Sequence, residues 1–150
     1  MGKVVTLGEI MLRLSTDSGI RIAQTENLHA HYGGGEANVA ISLANYGHDV
    51  YFASKVPENS LGEGVRKHLN RYGVHTDFLL TGGPRLGTYY MEAGIGERAA
   101  NVIYDRAGSS FAEMIENEWQ PKTYSETWIS FIFQVLHLHY QRIGEKIRLN

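Results

Sequence analysis

Hydrophobic positions change period several times along the first 119 residues, and each change marks an element. Val4 to Leu7 is a short β-branched run ending at Gly8-Glu9, and "IMLRLS" then alternates apolar and polar residues as a half-exposed strand does. The two stretches are compatible with one long strand. A polar loop around "TDSG" follows, and three consecutive glycines, Gly33 to Gly35, lead into a helix over Glu36 to Tyr46. There Ala37, Ala40, Ile41 and Ala44 recur at i, i+3, i+4 and i+7, a small-residue face that lets a helix lie close to a sheet. "DVYFASKV" is the next strand. Asn59 or Ser60 caps a second helix with Leu61, Val65 and Leu69 on one stripe, stopped by Gly73, and "TDFLLT" is strand again. Strand and helix thus alternate from Val4 to Leu80, the pattern of right-handed βαβ units on a largely parallel sheet.

Beyond that point the pattern changes character. "GTYYMEAG" and "NVIYDRAG" read as two strands joined by "IGERAA", a hairpin with no helix between its arms. Ser110 with Glu113 three residues later has the form of a capping box that opens a helix "SFAEMIENEW".

Composition narrows the function classes. The chain has 150 residues, 43% of them hydrophobic and 20% charged, the makeup of one globular domain, and no apolar run long enough to span a bilayer. The opening "MGKVVTLGEI" lacks the features of a secretory signal, so a cytoplasmic protein is expected. Cysteine is absent, which removes disulfides, thiolate metal sites and cysteine nucleophiles. A net charge of −2 with scattered basic residues argues against a nucleic-acid partner and leaves small molecules as the expected ligands.

The glycine run invites a nucleotide reading, but it lacks the lysine and hydroxyl of a phosphate-binding loop and the spacing of a dinucleotide fingerprint. A ligand touching bare backbone and a tight turn before a helix are equally good readings of the glycines alone. His29 and His31 have strand-like spacing without a third ligand, so no metal site is assigned. Glu9, at the end of the first strand, fits either a supporting role in a site or a structural salt bridge.

The whole segment "GGGEANVAISLANYG", a strand, and "VPENSLGEGVRKHLNRYGV" resemble the N-terminal signature of ribokinase-type (PfkB) sugar kinases. Within that family, "VVTLGEIMLRLS", "YGGGEANVA" and "YDRAGSS" look most like the 2-keto-3-deoxygluconate kinase subfamily, over roughly residues 1 to 118. The resemblance implies a Rossmann-like α/β ribokinase fold with a small β-sheet lid, its strands within about residues 10–32 and 86–107. The lid would close over a sugar acid and pair with the lid of a second copy. Carried over by position, Gly34 would touch the sugar through its backbone, Gly33, Gly35 and Asn38 would shape the turn, and Tyr89, Tyr104 and Arg106 would bind the substrate.

Residue chemistry agrees with that transfer. Tyr104 and Arg106 are two apart on a strand and share a face, with Asp105 opposite, so one can pack on the carbon chain while a guanidinium grips the acid's carboxylate. Without the resemblance, Arg106 reads as a solvated charge. A fructokinase or other PfkB sugar kinase is the nearest alternative, and a non-catalytic binding or dimerisation fragment the alternative of another class.

After Trp119 the resemblance stops. The family's next strand usually reads like "FHFSGITPAL", and the same bases read in a shifted register (TTT CAT TTT TCA GGT ATT as TTC ATT TTT CAG GTA) encode Phe131 to Val135, then "LHLHYQRIG" with permitted codons. Residues 1–119 are therefore expected to be the N-terminal part of the kinase domain and 120–150 an out-of-frame tail, in which His137 and His139 are accidental. The family's catalytic aspartate, in a "GAGD"-like motif, has no counterpart in these 150 residues, so no catalytic residue is assigned. ATP and Mg²⁺ are implied for the full-length enzyme and none is expected to bind this chain, which is expected to be inactive and to aggregate or self-associate through the lid.

Overall fold

A computed structural model describes residues 3–115, 118 and 128–133. Among the described residues, eight strands form two four-stranded sheets, accompanied by two α-helices. The first sheet is parallel throughout, in the order β5-β4-β1-β8, with β1 at Lys3–Leu7, β4 at Asp49–Val56, β5 at Leu79–Thr81 and β8 at Trp128–Phe133. The second has the order β3-β2-β6-β7, with β2 at Met11–Ser15, β3 at His29–Gly33, β6 at Thr88–Glu92 and β7 at Asn101–Asp105.

β1 and β2 are not one strand, which corrects that expectation. After Leu7 the ladder makes one further bond, Gly8 N–H to Ala53 O at 3.2 Å, and the chain then leaves the first sheet. Gly8 to Ile10 is the crossing, and β2 pairs antiparallel with β3 and parallel with β6. The side-chain pattern could not reveal the break, because Leu7 on the first sheet, Ile10 in the crossing and Met11 on the second are all buried.

Helix α1, Gly35–Asn45, and helix α2, Ser60–Arg71, join the strands of the parallel sheet. α1 lies close because its inner face is Ala37 and Ala40, fully buried among Ile10, Val50, Phe52, Val56, Val65 and Leu69. α2 is capped by Asn59, whose side chain accepts from the N–H groups of Leu61 and Gly62. Its buried stripe runs through Gly62, Val65 and Leu69. Leu61, expected on that stripe, is exposed, because Gly62 packs onto the Pro57 carbonyl and rotates Leu61 outward. Both helices end in Schellman geometry, with Gly47 and Gly73 in the left-handed region at φ 85° and 77°. On the other side of the sheet, Val5, Leu7, Ala53, Phe78 and Phe111 form a second core.

The expected helix from Ser110 is also corrected. Residues 110–113 form turns, and it is Ser109 whose Oγ accepts the Ala112 N–H, at 3.1 Å, while Ser110 Oγ donates to the Arg85 carbonyl at 2.9 Å. Only Ser110 has the acid three residues on, but burial of Ser109 beside Glu9 puts the Ser109 hydroxyl at the start of the turn instead. Finally, within the segment expected to be an out-of-frame tail, Trp128–Phe133 form β8, hydrogen-bonded alongside β1. His137 and His139 lie outside the described residues.

Candidate functional site

The site forms where β1 hands over to β2, at the carboxyl end of the parallel sheet, the end at which open α/β sheets hold ligands. Three segments distant in sequence converge there: Gly8 to Ile10, the glycine run Gly33 to Gly35, and the turn after β7 from Arg106 to Ser109.

Gly34 precedes α1 in fully extended backbone (φ 178°, ψ 151°), so it is not needed for an unusual dihedral. A Cβ there would overlap the Glu9 carbonyl oxygen, and this close approach is what demands glycine. The Gly34 carbonyl accepts the Asn38 N–H at 2.8 Å, the first bond of α1, so Asn38 fixes the turn through its backbone while its side chain stays exposed. Gly35 opens the helix. Gly33 ends β3 beside Tyr89; a Cβ on it would stand 3.4 Å from the tyrosine hydroxyl. Tyr89 faces Tyr104 across the β6–β7 pair, with ring centroids 5.7 Å apart.

Arg106 stands one residue beyond β7 and reaches inward, its Nη2 2.5 Å from Glu9 Oε2. This separates it from Asp105, which Arg85 holds through two hydrogen bonds of 2.9 Å each. The open choice for Glu9 resolves into a buried ion pair: its carboxylate also accepts from Ser109 Oγ at 2.6 Å. The sequence thus brings Gly33, Gly34, Tyr89, Tyr104 and Arg106 together, with Gly35 and Asn38 behind them on the first turn of α1. It did not point to Glu36, Ser109 or Gly87, which wall in Glu9 and Gly8. Only the acid following the glycine run hinted at Glu36.

Glu36 is buried in the first turn of α1 against Gly8. Desolvation pushes its carboxyl above the ordinary carboxylate value and nearby Glu9 adds to this; its own backbone N–H and Arg106 pull the other way. Between the ordinary value near 4.5 and the raised value in the folded state, the folded chain keeps a proton that the unfolded chain has lost. Wild type is therefore expected to lose stability relative to Glu36→Gln as pH rises through that window, with a constant difference above it. Urea midpoints of both proteins between about pH 4 and pH 7 check this, and a wild type that gains on the variant refutes it.

His29 pairs with Asp17 at 2.7 Å on the surface, and among the described residues no three His, Asp or Glu side chains gather as a metal cage. No helix among them is long and apolar enough to cross a membrane.

Residues 1–125 match the pfkB family carbohydrate kinase model. The chain belongs to this family. The 2-dehydro-3-deoxygalactonokinase of Haloferax volcanii is 38% identical over 108 residues, 72% of this chain and 34% of that protein. The crystal structure of 2-dehydro-3-deoxygluconokinase from Thermotoga maritima is 44% identical and superposes with a TM-score of 0.86 over 89% of this chain and 41% of its own. A PfkB carbohydrate kinase from Listeria grayi is 42% identical with a TM-score of 0.83, covering 87% of this chain and 41% of its own. The chain thus spans between about a third and two-fifths of the length of these PfkB relatives.

Proposed function

We propose that this chain carries the substrate half of a kinase that phosphorylates 2-keto-3-deoxygluconate or a close stereoisomer at the expense of ATP. The observation that carries the reading is that Arg106 pairs with Glu9, whose carbonyl abuts Gly34, while Tyr89 beside Gly33 faces Tyr104 on the adjoining strand. A guanidinium recognises a carboxylate with two parallel charge-assisted bonds, which a neutral hexose does not offer. The names of the Haloferax and Thermotoga relatives support the same substrate class.

In this reading Gly34 meets the sugar through backbone, Gly33, Gly35 and Asn38 hold the turn, and Tyr89 and Tyr104 flank the carbon chain. The Cβ side of Gly34 is filled by the Glu9 carbonyl rather than open to a phosphate. Nucleotide, metal and the proton-accepting aspartate are assigned to the remainder of the kinase, so the chain by itself has a sugar site without turnover, in a cytoplasmic setting. Residues 120–150 are assigned to a shifted reading frame. β8 is compatible with that origin, since T-rich codons of an apolar strand encode Phe, Ile and Leu in neighbouring registers. The second sheet is proposed as the lid and as the contact between two copies, supported by Val102, Ile103 and Tyr104, all exposed on the edge strand β7.

Calorimetric titration of the chain with 2-keto-3-deoxygluconate, 2-keto-3-deoxygalactonate and fructose tests the substrate reading. Binding of the acids but not of fructose is expected, and equal or tighter fructose binding favours the fructokinase reading. Phosphate transfer from ATP by the 150-residue chain overturns the assignment of the chemistry elsewhere. Coding DNA from codon 115 onward, with no kinase-like reading in any frame, overturns the shifted tail.

A further inference from the structure

Glu9 has no part in the reading above, yet it is the most enclosed charged side chain of the site, 4% exposed against 36% for its partner Arg106. Its two oxygens are used differently. Oε1 accepts from Ser109 Oγ at 2.6 Å, and that hydroxyl in turn accepts the Ala112 N–H, so this oxygen is tied to the turn after β7. Oε2 faces Arg106 Nη2 as an ion pair and, among the described residues, accepts no hydrogen bond. Around them Gly34 presses on the Glu9 carbonyl and Gly87 on its carboxylate, where a Cβ on either would collide. The carboxylate therefore has no room to swing.

Stability alone is a poor reason for such an arrangement. A buried ion pair roughly breaks even against an apolar replacement, and the buried Glu36 beside it adds a second acid. Positioning is a better one. A free arginine side chain loses rotamer entropy when a ligand fixes it, and one already held does not. The ion pair engages Nη2 of a five-donor guanidinium, and the side chain is 36% exposed, so a ligand can reach the group as well.

We propose that Glu9 is the positioning residue of this site: it clamps Arg106 by one nitrogen, presents the remaining donors to the sugar acid, and thereby sets the preference for acidic over neutral sugars. This rests on the reading that Arg106 meets the substrate carboxylate. Glu9→Gln keeps an acceptor for Ser109 and removes the charge that holds Arg106. Ser109→Ala does the reverse.

The test has two readouts on the full chain. NMR of the Arg106 side-chain Nε–H group without ligand is expected to show a restricted guanidinium in wild type and Ser109→Ala, and a freely averaging one in Glu9→Gln. Free averaging in wild type overturns the clamp, whatever the variants do. Titration with 2-keto-3-deoxygluconate is expected to show about a ten-fold loss of affinity in Glu9→Gln. The affinity for a neutral sugar of the same length should move less than about two-fold, and Ser109→Ala should leave the ratio of the two unchanged. Parallel losses for both sugars, or tighter acid binding in Glu9→Gln, overturn the specificity role. A wild type that binds no sugar acid overturns the functional reading and the specificity role with it, while the Arg106 signal still decides the clamp by itself.

Discussion

Gly34→Ala is expected to cost about 3 kcal/mol or more, a large part of a total that for ordinary domains is about 5–15 kcal/mol. The added Cβ meets the carbonyl oxygen of Glu9, which is backbone and cannot rotate away like a side chain. Nor can the segment retreat. Gly8 N–H is bonded to Ala53 O, and the Glu9 carboxylate is held by Ser109 and Arg106. The neighbouring substitution supplies the contrast. At Gly33 a Cβ would stand 3.4 Å from the Tyr89 hydroxyl, ordinary van der Waals contact, so Gly33→Ala is expected to stay within about 1 kcal/mol of wild type. Urea denaturation of the two variants beside wild type checks both. Equal effects would mean that the β1–β2 crossing yields, and that the glycine run is a turn without a demanding centre.

Arg106→Ala is expected to act twice. It removes the cation from a carboxylate that is almost wholly enclosed, and breaking a buried pair from one side costs about 3–5 kcal/mol when both partners are dry. Arg106 is 36% exposed, so water screens the pair and about 2 kcal/mol is the expected loss of stability. Most of that loss belongs to stranded Glu9, and the double variant Glu9→Gln with Arg106→Ala should recover more than half of it. Binding behaves differently. Affinity for a sugar acid should fall at least about 100-fold in Arg106→Ala, two charge-assisted hydrogen bonds being lost, and the double variant should not restore it. Chemical denaturation and calorimetry on the two single variants, the double variant and wild type separate the effects. Recovery of acid binding in the double variant would mean that Arg106 serves Glu9 and not the ligand.

Those two residues show how differently parts of the site could be read. Arg106 and Tyr104 came into view through the motif "YDRAGSS", and the structure places Tyr104 against Tyr89 and Arg106 against Glu9. Glu9 was visible only as an acid at a strand end, with two readings of equal weight. Its ion pair with Arg106 and its hydrogen bond from Ser109, 100 residues away along the chain, are contacts that no local pattern encodes. Glu36 was hidden for the opposite reason: an acid in the first turn of a helix is ordinarily a solvated partner of the helix dipole, and only the packing of α1 onto Gly8 buries it.

The sequence by itself determined the alternation of strand and helix as far as β5, the small-residue face of α1, the cap and glycine stop of α2, and membership of the pfkB family. These are fixed by neighbours within a few residues, where period, capping and dihedral preference act directly. Tertiary structure alone decided that the opening stretch splits between two sheets, that Ser109 rather than Ser110 caps, that Trp128–Phe133 lies beside β1, and that Glu9 holds Arg106. Each of these depends on groups far apart in sequence meeting in a space from which water is excluded. There a missing methyl group or a single paired charge outweighs local preference.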